Sequence, residues 1–156
     1  MYVNARAIIE RMTPDGVQLL LQTRDKPGQR RQLELPGGQV EPYESLVDAV
    51  RREVGEETGL EIVEIEGQDL RVISSGEQAS VECVRPFAAY QTLAGPVDSM
   101  GVYFRCVARG QLRSQAGESR DAGWFGLDRI RSWLADDPER ISWVDRAGIA
   151  FYVAGA

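Results

Sequence analysis

Apolar and polar positions run along this chain in two rhythms. Val3 to Met12 and Val17 to Thr23 are rich in β-branched and aliphatic residues and flank Thr13-Pro14-Asp15-Gly16, a turn signal, so they predict a hairpin. Arg24 to Gln32 interrupts with a polar loop that leads to the turn Pro36-Gly37-Gly38, whose glycines permit close backbone approach. The rhythm then becomes helical: from about Glu44 to Thr58, at about 100° per residue, Leu46, Ala49 and Val50 fall on one face. Gly59 is a natural C-cap. Leu60 to Glu66, Leu70 to Ser74 and Ser80 to Leu93 contain strand-like stretches whose order the periodicity does not give. Met100 to Ala108 is a strong strand, and Trp124-Phe125 a short one leading into a helix from Leu127 to Ala135. Ser142 opens a final amphipathic helix, with Asp145 placed to bond back as in a capping box. Strands and helices mix irregularly without repeat or linker, which predicts one α/β sandwich domain with a mixed sheet over residues 1–156.

The helix from Glu44 to Thr58 breaks its own pattern. Glu53 and Glu57 continue the face begun by Leu46, Ala49 and Val50, so the apolar stripe turns into carboxylates. Glu53, Glu56 and Glu57 are spaced i, i+3, i+4 and can converge to about 6 Å. Two carboxylates at that separation repel by roughly 3 kcal/mol at an effective dielectric near 20. Helix pairs such as Asp48 with Arg52 or Arg52 with Glu56 return only about 0.2 to 0.5 kcal/mol each. A bound cation offsets the repulsion better, and oxygen-only donors suit a hard ion such as Mg²⁺, which fills its other positions with water and phosphate oxygens. The competing reading is a solvated acidic helix end.

Gly38, five residues, Glu44, seven residues, Arg52-Glu53-Val54, one residue, Glu56-Glu57, one residue, Gly59-Leu60: this spacing resembles the signature of the Nudix hydrolase superfamily at every specified position. The lead-in Leu33-Glu34-Leu35-Pro36-Gly37-Gly38 is similar to the family's approach to that box, in particular to its MutT-like, oxidised-guanine nucleoside triphosphatases. Outside this stretch the agreement is only of general pattern. The resemblance implies an α/β/α sandwich around a mixed β-sheet and Mg²⁺- or Mn²⁺-dependent hydrolysis of a diphosphate bond. The substrate would be a small nucleotide, either a nucleoside diphosphate derivative or a nucleoside triphosphate. It also implies that Glu56 and Glu57, with a carbonyl of Gly37 or Gly38, hold the metal, that Glu53 is a ligand or the general base, and that Glu44 and Arg52 orient the carboxylates.

Glu118, six residues before Trp124, resembles the family's downstream glutamate and is a candidate extra metal ligand or proton acceptor. Glu77, also on a loop after the box, is its rival. Arg24, with Lys26, Arg30 and Arg31, lies next to the expected metal site and could meet substrate phosphates or a leaving group; a solvated basic loop is the plainer reading. A catalytically silent nucleotide sensor or interaction domain on the same fold is the alternative function, and the intact carboxylate set argues against it. Isomerisation of isoprenoid diphosphates is weakened by the absence of histidine. Ser74-Ser75-Gly76-Glu77-Gln78 matches neither the proline of the ADP-ribose subgroup nor the tyrosine of the dinucleoside polyphosphate subgroup, and the coenzyme A motif is not met around Arg24. The particular substrate stays open.

Composition narrows the picture further. With 43% hydrophobic and 27% charged residues in 156, the chain can bury a sizeable core without disulfides. A net charge of −6 argues against binding extended nucleic acid through a general positive field. All basic residues but Lys26 are arginines, suited to bidentate phosphate contacts. Having no histidine excludes histidine-based triads and zinc sites, which leaves carboxylates and a hard metal. Cys83 and Cys106 form no metal motif and read as buried small hydrophobes. The chain starts directly in strand-like sequence and has no apolar run of about 18 residues, so no signal peptide and no membrane span are expected and a cytoplasmic location is. Monomer and homodimer remain equally open.

Overall fold

The computed structural model describes residues 1–113 and 121–156. Its elements are β1 (Tyr2–Thr13), β2 (Gly16–Arg24), β3 (Gln32–Glu34), β4 (Gly37–Gln39), α1 (Leu46–Thr58), β5 (Glu61–Ile65), β6 (Val72–Ser75), β7 (Ser80–Cys83), β8 (Ala88–Gln91), β9 (Ser99–Arg109), β10 (Gly123–Gly126), α2 (Leu127–Asp136) and α3 (Trp143–Ala154). The predicted hairpin forms: Thr13 Oγ1 donates to the Gly16 carbonyl at 2.8 Å and accepts the Asp15 N–H at 3.2 Å.

β1 and β2 pair only from Glu10↔Leu19 to Thr13↔Gly16. Beyond that they part, and the gap takes β3 against β2 and β4 against β1, with Gln22 opposite Glu34 and Ala5 opposite Gly38. On its other side β1 runs parallel to β9, from Tyr2↔Ser99 to Ile9↔Cys106, whereas β5 and β8 meet β9 antiparallel and β10 edges β2. The sheet is therefore mixed, as expected. β6 and β7 form a separate two-stranded sheet.

Alternation along β1 and β2 divides the core between the two faces. Ala5, Ala7, Ile9 and Leu20 pack with Val47, Ala49, Val50 and Val54 of α1. Ile8, Leu19, Leu21 and Tyr103 pack with Ile130 of α2 and Ile149 and Tyr152 of α3. This is the expected α/β/α sandwich. Among the described residues no helix is long and apolar enough to cross a membrane.

Three local expectations change, and one stretch whose strand order the sequence left open is resolved. The first helix begins at Leu46 instead of Glu44, because Ser45 serves as its N-cap and accepts the Asp48 N–H at 3.0 Å. Ser80 to Leu93 is divided between β7 and β8, which belong to different sheets. Asp145 makes no capping box: it is fully buried and accepts Arg6 Nε at 2.7 Å, Arg6 Nη2 at 3.0 Å and the Leu35 N–H at 2.8 Å. Arg6 points from β1 into the α3 face and requires that counter-charge. Cys83 is exposed, because β7 lies outside the main sheet, while Cys106 is buried and its thiol is pushed up to about 12 by desolvation.

Candidate active site

The glutamates of α1 meet the backbone of β4 where β1 and β2 have separated. A side chain at Gly38 would put its Cβ 2.7 Å from the Glu53 carboxyl carbon and 2.8 Å from both oxygens, so only glycine lets that carboxylate lie against the strand. Gly37 is similarly constrained: its φ is +149° and a Cβ would lie 2.6 Å from the Ala5 carbonyl oxygen. Its N–H donates to Glu57 Oε1 at 2.9 Å.

Glu57 is the buried member of the set, 6% exposed. Its second oxygen accepts a hydrogen bond from Gln22 Nε2. Desolvation pushes its carboxyl up to about 7 against the opposing pull of the Gln22 and Gly37 hydrogen bonds. Glu53 is half-buried and Glu56 is exposed.

Arg52 forms the centre of the acidic cluster. Its Nε and Nη2 grip the two Glu44 oxygens at 2.7 and 2.9 Å, Nη1 reaches Glu53 at 2.9 Å and Glu56 at 3.3 Å, and Nη2 also meets the Gln39 carbonyl at 3.1 Å. The hydrogen bond from Arg52 holds Glu44 below the usual carboxylate range, and the same contact, followed by Glu53, holds Arg52 above its ordinary value. The guanidinium thus serves as counter-charge and brace for three of the four glutamates.

The three box glutamates do not close into a cage. Among the described residues no group of three acidic, histidine or cysteine side chains is placed to enclose an ion. The donors still fit a hard divalent cation. Mg²⁺ is ordinarily held by one or two carboxylates, its other positions being filled by water and substrate phosphates, and here Glu57 is fixed at both oxygens while Glu53 is packed on Gly38. A carboxylate as desolvated as Glu57 is also one that a cation would stabilise.

Sequence reasoning missed a buried polar network beside the site. Gln22 Nε2 lies 3.5 Å from Glu34 Oε1; Glu34 in turn meets Arg24 at 3.3 Å and Arg6 at 3.7 Å, and Arg6 ends on Asp145. Arg6 interrupts the apolar run Ala5 to Ile9, and Gln22 ends the apolar run Leu19 to Leu21, although both are buried. Those interruptions were the available signal.

Arg24 lines a cavity of about 290 Å³ with Asn4, Arg6, Lys26, Gln39 and Trp143, next to β4. Its Nε is buried without a hydrogen-bond partner among the described residues. Arg30 and Arg31, by contrast, pair with Asp137 at 3.2 Å and Asp121 at 2.7 Å on the surface. Glu77 is exposed in the connection between β6 and β7, and Glu118 lies outside the described residues.

The description "NUDIX domain" belongs to a family model that matches residues 1–146. The chain belongs to the NUDIX family. Members of this family hydrolyse nucleoside diphosphate derivatives and in general use divalent metal ions, and this chain is a NUDIX hydrolase. Among solved structures it is similar to a MutT NUDIX hydrolase from Burkholderia pseudomallei, at 21% identity over 96% of this chain and 95% of that one, with a TM-score of 0.64. It is also similar to a MutT structure from work on Aliivibrio salmonicida and Vibrio cholerae, at 18% identity over 99% and 98% of the two chains, TM-score 0.66. The solution structure of the E. coli ORF135 protein matches at 23% identity over 99% and 89%, TM-score 0.62. At these identities the likeness establishes the NUDIX fold. No curated protein matches the chain significantly.

Proposed function

We propose that this NUDIX hydrolase uses Mg²⁺, or Mn²⁺ in its place, to cleave a diphosphate bond in a small nucleotide, either a nucleoside diphosphate derivative or a nucleoside triphosphate. The observation that carries the reading is Glu57: a carboxylate 6% exposed, pinned through both oxygens and pushed up to about 7 by burial, on the one helix that also presents Glu53 and Glu56. Glu56 and Glu57, with a carbonyl of Gly37 or Gly38, would hold the ion. When bound, the ion neutralises charge on phosphate oxygens and acidifies water.

The protein's own groups do the remainder. Glu53, braced by Arg52 at 2.9 Å, is either a further ligand or the base that takes the proton from the attacking water, and Glu118 is the other candidate for both tasks. Arg52 and Glu44 hold the carboxylates without touching substrate. Arg24 and Lys26 give the adjoining cavity two positive groups for a phosphate or leaving group. The two unpaired cysteines suit a reducing compartment, which supports a cytoplasmic location.

A panel of nucleoside triphosphates and nucleoside diphosphate derivatives, assayed for phosphate and mononucleotide release with and without Mg²⁺, tests the reading. Turnover of at least one is expected, and nucleotide binding without any turnover would favour the silent sensor. On the best substrate, Glu53→Gln and Glu118→Gln assign the base, whose loss typically lowers the rate by about 10² to 10⁴. A wild-type rate for Glu118→Gln beside a crippled Glu77→Gln would move the downstream role to Glu77.

A further inference from the structure

We propose that Gln22, which lies outside the signature, is the positioning residue that fixes the Glu57 carboxylate for its ion. The inference rests on the assignment of Glu57 to the metal. Gln22 is fully buried on β2, directly after Leu19, Leu20 and Leu21, all equally buried. Leucine or methionine would fill that position without any polar requirement. An amide is there instead, and its nitrogen is turned toward two carboxylates: it bonds Glu57 Oε2 and lies 3.5 Å from Glu34 Oε1.

The other end of the amide shows what this orientation costs. Gln22 Oε1 is buried without a hydrogen-bond partner among the described residues, an unfavourable state for a carbonyl oxygen. Turning the amide over would bring that oxygen against Glu57 and Glu34, where it would be repelled. The orphaned oxygen is therefore the consequence of giving the donor to the carboxylates.

What the donor achieves is geometric. A glutamate side chain has three rotatable bonds, and Glu57 reaches the site from α1 across to β2 and β4. Gly37 N–H holds Oε1 from β4 and Gln22 holds Oε2 from β2, so the carboxylate plane is referenced to two strands. The carboxylate is then oriented before any ion arrives, which is how the partners of metal ligands raise affinity. Through Glu34 the same amide is one step from Arg24 and its cavity.

Gln22→Met removes both the donor and the orphaned oxygen while keeping the volume. The probe is Mn²⁺ binding to the substrate-free protein by calorimetry, with thermal melting of the metal-free protein and steady-state kinetics beside it. Gln22→Met should stay folded, melting somewhat below wild type because the buried Glu57 carboxylate loses a donor, bind Mn²⁺ about 10- to 100-fold more weakly and lose kcat more than KM. In a Glu57→Gln background the same substitution should cause no further loss, because it acts through Glu57. Gln22→Asn, one methylene too short to reach, should weaken Mn²⁺ equally and serves if the methionine variant fails to fold. Wild-type Mn²⁺ affinity in a folded Gln22 variant, with affinity lost in Glu57→Gln, would overturn the role of Gln22 alone. Wild-type affinity in Glu57→Gln would overturn the metal assignment and this inference together.

Discussion

A carboxylate that burial pushes up to about 7 destabilises the metal-free fold whenever it is ionised. The folded-state pKa of Glu57 lies above the ordinary 4.5, so the folded form binds the proton more tightly than the unfolded one. The penalty is therefore absent below about pH 4.5, grows as pH rises and is complete above about pH 7, where it is roughly 3 kcal/mol. Glu57→Gln removes the charge and should raise the melting temperature of the metal-free protein at pH 8, with a gain that shrinks toward zero near pH 4.5. A variant that melts lower than wild type at pH 8 would contradict this account of burial. Gly38 tests the neighbouring carboxylate. Gly38→Ala places a methyl group 2.7 Å from the Glu53 carboxyl carbon, and since a displacement of about 1 Å at a reacting group can cost about 10²-fold, kcat/KM should fall by that order. Activity within a factor of a few of wild type would show that the position of Glu53 matters little.

At the scale of elements, α1 was the most legible part of the chain because two signals coincided there. Its apolar stripe gave the buried face, and Gly59, at φ +77°, ends it as expected by donating to the Gly55 carbonyl at 3.0 Å. The carboxylates on that stripe announced the site. Asp145 was misread because its position, three residues after Ser142, satisfies a local rule, while its partner is Arg6, 139 positions away in sequence. A long-range ion pair leaves no periodic trace. The signal lay instead in two charges placed among apolar residues. Burial disfavours the Arg6 charge, but the fields of Asp145 and then Glu34 outweigh it and hold the guanidinium above its ordinary value. Asp145→Ala would leave Arg6 with only the more distant Glu34, at 3.7 Å, as counter-charge, and a denaturant titration should show a loss of about 3 kcal/mol. A loss under 1 kcal/mol would mean that water reaches the pair. The segment from Ser80 to Leu93 was unreadable for a different reason. β7 is largely exposed and lacks the buried face that would set a clear alternation.

Across the whole molecule, the site exists because the two central strands separate beyond Glu10. The gap admits β4, whose glycines bring the backbone close to Glu53 and Glu57 from the α1 side. β3 enters the same gap and carries Glu34 into the buried network that ends on α3 at Asp145. The mixed sandwich and the box were readable from 156 residues of sequence, whereas this network had to be seen folded. The central claim is that carboxylates on α1 carry a divalent ion through which a nucleotide diphosphate bond is hydrolysed. The most direct test is turnover of the best nucleotide substrate by metal-depleted protein, before and after adding back Mg²⁺, for wild type and Glu57→Gln in parallel. The account predicts negligible turnover without the ion, full recovery in wild type on adding it and no recovery in a folded Glu57→Gln protein. Equal turnover with and without Mg²⁺, or wild-type recovery in the variant, would contradict it.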